Sequence, residues 1–357
     1  MKILFIVPYP EGEAPSQRFR FEQYYQSLKD AGHDTKVQPF LSLRAWKSIY
    51  FSKKLLEKGA FVLLGFLKRF LILRFIHKFD YVFIHREASP AGPPFFEWCI
   101  AKIFRKKIIY DFDDAIWLTD HTNESWLIRK IRWRSKVSSI CKWSDKISCG
   151  NSYLAEYAKQ FNKNVFINPT TIDTLHMHIP KAPCADLKEK ITIGWTGSHS
   201  TLKYLKPLLS VLQDIEKKYP EIKFLVIADE DPKLTLKNLT FIRWKKETEI
   251  ADLENMDVGL MPLPDGAWTK GKCGFKALQY MALEIPALVS PVGVNTEIVV
   301  DGIHGYWCAS QIAWFTKIED LIIDHEKRSA MGKMGRQKVI EHYSVASNSA
   351  NFLSLFQ

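Results

Sequence analysis

Residues 258–290, VGLMPLPDGAWTKGKCGFKALQYMALEIPALVS, read as a strand, a loop, a helix and a second strand. Val258–Pro262 and Ala287–Ser290 are short apolar runs, and Phe275–Ala282 between them has helical length. Strand, helix and parallel strand form the repeating unit of a sheet covered on both faces. Gly271, Gly274, Lys270, Lys272 and Lys276 crowd the start of the helix, where its dipole is positive. Cys273 and Phe275 complete this loop, which suits a diphosphate lying against backbone N–H groups. If the helix begins by Lys272, Lys272 and Lys276 share one face.

The same alternation runs outward in both directions. Toward the N-terminus of this half lie strands Ile191–Trp195, Lys223–Ala228 and Thr240–Trp244, with helices Tyr204–Tyr219 and Glu247–Met256. The first half offers strands Lys2–Pro8, Asp34–Phe40, Tyr81–His85, Lys107–Asp111, Lys146–Cys149 and Val165–Asn168. Its helical stretches are Ser16–Ala31, Leu43–Lys78, Pro94–Phe104, Glu124–Lys142 and Tyr153–Gln160. Thr170–Lys190, with Pro180 and Pro183, has no clear period and reads as a linker. The expected organisation is α/β: a first Rossmann-like domain over 1–170, a linker over 171–190 and a second such domain over 191–340. A C-terminal helix over 341–357 is expected to return to the first domain. Ligands of doubly wound sheets lie at the carboxyl ends of the strands, so the expected site is the cleft between the domains.

A chain of 357 residues with 46% hydrophobic residues suffices for two cores. The six cysteines, Cys99, Cys141, Cys149, Cys184, Cys273 and Cys308, form no Cys-x-x-Cys pair, so neither a zinc site nor a disulfide framework is indicated. A reducing cytosol is the simplest compartment. The apolar run at Met1–Pro8 is too short for a secretion signal core and reads as a first strand.

The net charge of +11 resides wholly in the first half. Residues 1–180 hold 28 Lys and Arg against 17 Asp and Glu, and the remainder holds 22 of each. That asymmetry points to an anionic partner such as a membrane surface or a lipid phosphate. Arg44, Lys47, Lys53, Lys54, Lys58, Lys68, Arg69, Arg74 and Lys78 alternate with apolar residues between Leu43 and Lys78. The charges within Gly59–Ile76 argue against a spanning helix. A helix lying in the membrane interface and a helix packed under its own domain both remain open. No nucleic-acid module is recognisable, so nucleic acid is not an expected partner.

Three further loops carry candidate chemistry. Pro8–Arg20 contains Gly12 but no Gly-x-Gly-x-x-Gly, and Arg18 and Arg20 near a helix start suggest an anion there. In YDFDDAIW, residues 110–117, the carboxylates Asp111, Asp113 and Asp114 follow a strand, which fits acid–base work, a metal or sugar hydroxyls. Arg86 and Glu87 end the third strand and would face the same place. Gly197 and Ser198 lie in the small-residue loop GWTGSHST, residues 194–201, where a phosphate can approach closely.

The segment KALQYMALEIPALVSPVGVNTEIVVDGIHGYW, residues 276–307, resembles family 4 glycosyltransferases of the GT-B fold. The first strand and its loop, YDFDDAIW and NPTTID (residues 168–173) extend the resemblance over most of the chain. It implies a retaining, metal-independent transfer of a sugar from a UDP- or GDP-linked donor in the C-terminal domain. The acceptor, a glycan or an anionic or lipid-linked molecule, would bind the N-terminal domain through Gly12, Arg18, Arg20, Arg86 and Glu87. The expected setting is polysaccharide synthesis on the inner face of the cell membrane. No cofactor is implied, the nucleotide sugar being substrate.

The sequence also departs from the family pattern. The two glutamates eight apart resemble Gly271 and Gln279 here, the histidine after the fourth strand Asp113, and the arginine after the first C-domain strand Ser198. Lys203, Lys272 or Lys276 would then neutralise the diphosphate, with Gln279 on the ribose. Trp244, Cys273, Gly274 and Phe275 join the donor set, and Asp113 is the expected catalytic group with Asp111 and Asp114 as supports. A non-catalytic nucleotide-sugar-binding relative and a nucleotide-sugar epimerase are the alternatives.

Overall fold

The structure, a computed structural model, describes residues 1–51, 55–120, 124–181 and 190–357. Lys53, Lys54 and residues 182–189 of the expected linker, with Pro183 and Cys184, lie outside the described residues. The chain divides into two compact units, one of Met1–Thr170, Gly271–Cys273 and Asn348–Gln357, the other of Thr171–Lys270 and Gly274–Ser347.

In the first unit, β1 (Lys2–Val7), β2 (Asp34–Pro39), β3 (Tyr81–His85), β4 (Lys107–Phe112), β5 (Lys146–Cys149) and β6 (Val165–Ile167) form one sheet. Its order is β2-β1-β3-β4-β5-β6 and every pairing is parallel. The central strands are runs of Ile, Val and Phe buried on both faces, as parallel sheets require. Phe5, Phe21, Phe83, Phe352 and Phe356 form a ring cluster that ties the C-terminal residues into this unit.

In the second unit, β7 (Thr192–Gly197), β8 (Lys223–Ala228), β9 (Leu239–Arg243), β10 (Val258–Met261), β11 (Ala287–Val289) and β12 (Gly305–Trp307) are ordered β12-β11-β10-β7-β8-β9. The strand order reverses between β1 and β3 in one unit and between β7 and β10 in the other, and doubly wound sheets bind ligands at such points.

Several helices are shorter than the sequence pattern suggests. Ser16–Ala31 becomes Pro15–Arg18, a single 3₁₀ turn at Glu22–Tyr24, and Tyr25–Asp30. Phe19, Arg20 and Phe21 are all buried, and three successive inward residues cannot lie on one helical face. Pro207 breaks Tyr204–Tyr219 at Lys206–Leu208. The expected Glu124–Lys142 helix parts at Trp133, which adopts a left-handed backbone. The first part of the expected linker is packed rather than free: Thr171, Ile172 and His178 are buried, and Ile172 bridges Ser344. Beyond Ser290 the structure adds β12 and the long helices Gln311–Ile323 and His325–His342. Among the described residues no helix is long and apolar enough to cross a membrane.

Candidate functional site

Parallel register places His85, Asp111 and Ser148 side by side across β3, β4 and β5. Their side chains meet: His85 Nδ1 lies 2.7 Å from Asp111 Oδ2, and Ser148 Oγ donates to Asp111 Oδ1 at 2.6 Å. The Arg20 guanidinium pairs with Asp111 and also donates to Ser148 Oγ and the Asn168 carbonyl. Burial alone would raise the Asp111 pKa, but Arg20 and His85 outweigh it and hold the carboxyl well below the usual carboxylate range. Asp111 and Arg20 are thus an interior ion pair, and the anion suggested for Arg20 by its position is Asp111 itself. Arg18 is likewise buried, its guanidinium 4.8 Å from the Phe19 ring centre. Gly12 donates its N–H to Glu22 at 2.9 Å, so that donor is directed into the fold.

The partly exposed chemistry lies one step further along the strands. Arg86 takes a left-handed backbone, φ 59°, which is costly for a side chain of this size. Its N–H donates to the Asp111 carbonyl and its carbonyl accepts from the Tyr110 hydroxyl, both at 2.7 Å. This turns the guanidinium onto Asp113 and Asp114, each at 2.8 Å. Lys272 donates to Asp114 at 2.8 Å, and Cys273 Sγ donates to the Asp113 carbonyl at 3.1 Å. Asn151 holds the Lys272 carbonyl at 3.0 Å, and Gly150 leaves room for Cys273, whose sulfur lies 2.2 Å from where a Cβ would stand. Burial raises the Asp113 pKa, but Arg86, His85 and Arg20 together outweigh it, so the net shift is downward. Glu87 turns aside to Lys136 at 2.7 Å.

The expectation that Lys272 and Lys276 share a helical face is not met. The helix begins at Phe275, after Gly274 in a left-handed conformation (φ 68°), so Lys272 precedes it. A side chain at Gly274 would collide with Ile298, since its Cβ would stand 2.1 Å from Ile298 Cδ1. Lys272 belongs to the first unit and Lys276 to the second.

In the second unit, the loop after β7 is closed by the Ser198 N–H on Thr201 Oγ1 at 3.1 Å and by the Tyr280 hydroxyl under Thr196 N–H at 3.0 Å. Gly197 is small because Trp195 and Thr201 fill the space beside it. Lys276 lies 5.1 Å from the centre of the Trp195 ring. Phe275 and Lys276 are half-buried, whereas the helix is buried from Ala277 to Ala282. Only its first turn is therefore open to a ligand. Gln279 is interior and donates to Glu249 at 3.2 Å. Lys203 is exposed over Tyr204, and half-buried Trp244 continues β9 by donating its N–H to Ala228. The sequence reading missed Glu249 and Asn295. Glu249, Leu253 and Met256 are all buried at i, i+4 and i+7, so a carboxylate on an apolar face was the available signal. Asn295 donates to the Ser290 carbonyl at 3.1 Å, on the turn beside Gly274.

Residues 190–324 match the profile of a family described as Glycosyl transferases group 1. This part of the chain is similar to that family. Spore coat protein SA of Bacillus subtilis is 24% identical over 190 residues, 48% of this chain and 50% of the relative, so the match spans half that relative's length. Among solved structures, sucrose-phosphate synthase from Thermosynechococcus elongatus superposes with a TM-score of 0.75 at 15% identity, covering 99% of this chain and 98% of that one. The Anabaena HepE structure in complex with UDP and glucose gives a TM-score of 0.66 at 13% identity, covering 100% and 99%. At these identities the likeness shows the fold, which is GT-B.

Proposed function

We propose that this chain is a glycosyltransferase that moves a sugar from a nucleotide donor to a glycan or lipid-linked acceptor with retention at the anomeric carbon. The observation that carries the reading is the opening of the Phe275–Ala282 helix: Gly274 bends the chain, the first turn stays open, and Lys276 stands beside it within the family-matched region. N–H groups and a cation at a positive helix end suit a diphosphate. In the reaction the C1–O bond to the diphosphate breaks with its electron pair going to the phosphate oxygen. The acceptor oxygen bonds C1 on the same face and its proton passes to the departing phosphate. Lys276 and the helix N–H groups meet the growing charge in place of a resident metal. The complex of HepE with UDP and glucose supports a nucleotide-sugar donor.

The acceptor belongs with the basic first unit, where Arg86, Asp113, Asp114 and Lys272 form the partly exposed rim. Asp113 is the carboxylate proposed to contact the transferred sugar. The setting would be the inner face of a membrane, in cell-surface polysaccharide synthesis. A second reading, a non-catalytic nucleotide-sugar-binding relative, is favoured by Gly271 and Gln279, where the family pattern has glutamates, and by the internal pairing of Gln279 with Glu249.

Calorimetry with UDP and GDP tests the donor site. A charge-assisted bond is worth about 1.5–3 kcal/mol, so Lys276→Ala should weaken the preferred diphosphate roughly ten- to a hundredfold. Unchanged affinity would remove the site from this helix. Release of nucleoside diphosphate only in the presence of an acceptor separates the transferase from the binding protein.

A further inference from the structure

The helix Leu55–Leu73 presents its apolar side to the outside. Its inward face carries Gly65, against the Phe40 ring, and Arg69, fully buried. Arg69 donates to the carbonyls of Val7 and Gln38 at 2.8 Å and of Ala88 at 2.6 Å. These contacts fix the rotation of the helix about its axis, and burial pulls the Arg69 pKa down to about 9. Arg69 is therefore not one of the surface cations its sequence neighbourhood suggests. With Arg69 inward, Leu63, Leu64, Leu67, Phe70 and Leu71 fall on the outward face, between 49% and 62% exposed.

A second element continues this surface. All seven residues of the helix Trp126–Arg132 are exposed, with the sequence WLIRKIR. Seven residues are too few to sustain a helix without packing. Ile131 accepts from the Gly92 N–H at 2.8 Å, and Phe95 nearby packs on Phe70 with ring centres 5.8 Å apart. The patch thus runs from the leucine stripe through Phe95 to the Trp126–Arg132 helix. No acidic residue occurs from Lys58 to Phe79 or within Trp126–Arg132.

We propose that this continuous apolar and basic face docks on an anionic lipid bilayer. It rests on the membrane setting given under the proposed function and names the surface responsible. Charge decides the occupant. Lys68 and Arg74 flank the stripe and Arg129, Lys130 and Arg132 flank the second helix, all in the half that holds the whole net charge of +11. A second copy docked through the same face would bring these cations against one another. Anionic headgroups neutralise them while leucine, phenylalanine and tryptophan enter the headgroup–acyl boundary.

Sedimentation of the full chain with phosphatidylcholine vesicles, with and without phosphatidylglycerol, tests this. The wild type should bind the anionic vesicles and bind less at high salt. Leu67→Gln with Leu71→Gln should lower partitioning at least about tenfold, given the cost of each lost methylene contact. Lys68→Gln with Arg74→Gln should lower it about tenfold and flatten the salt dependence. Brominated lipid should quench tryptophan emission, and Trp126→Phe should remove part of that quenching. Binding unaltered by both double variants, or absence of quenching, overturns the proposal. So does a dimer in sedimentation velocity that the leucine variant dissociates. Calorimetry with the nucleoside diphosphate separates the two readings: lost donor binding with intact vesicle binding would sink the transferase and leave the docking face.

Discussion

Replacing Arg20 with Met should unsettle the first unit more than any surface change. Arg20 and Asp111 are both buried, and the guanidinium also serves Ser148 and the Asn168 carbonyl. Removing one partner of a buried pair leaves an uncompensated charge and typically costs about 3–5 kcal/mol. His85 and Ser148 still face Asp111, which places the expectation near the lower end, about 3 kcal/mol. The pH dependence has a definite sign. In the wild type the Asp111 pKa is depressed, so its stabilisation is present above the unfolded value of about 3.9 and is lost as pH falls below it. In Arg20→Met burial dominates and raises the folded pKa, so protonation relieves the penalty and the gap between variant and wild type narrows from pH 7 toward pH 4. Urea unfolding at the two pH values measures both. Adding Asp111→Asn should recover at least about 1 kcal/mol, because the stranded charge is gone. A loss below about 1 kcal/mol that does not change with pH would refute the reasoning.

Gln279→Glu would set a second carboxylate against buried Glu249, so thermal melting should fall at pH 7 and partly recover on acidification, as one raised pKa requires. Equal melting at both pH values would contradict that pairing. Asp113→Asn should lower turnover at least about a hundredfold while calorimetric donor affinity holds, a split expected of a group acting in the transition state. Gly274→Ala combines a left-handed backbone with a Cβ 2.1 Å from Ile298, and should cost about 2 kcal/mol or more in urea unfolding and weaken the diphosphate.

The strand and helix order was legible because it depends on local pattern. The bounds of β3, β5 and the Phe275–Ala282 helix were legible to the residue, and the breaks that were missed arise where tertiary burial overrides local period, as at Phe19–Phe21. The glycine- and lysine-rich loop before the Phe275–Ala282 helix was visible for the same reason, since glycines and lysines before a helix act locally. Partner choice was not. Arg20 and Asp111 lie 91 residues apart, Lys272 and Asp114 158 apart, and nothing in either neighbourhood names the other. The Leu55–Leu73 helix shows this most plainly. Its composition announced a basic apolar segment, but which side faced outward depended on three carbonyls contributed by other parts of the chain, and those captured Arg69 and left the leucines exposed.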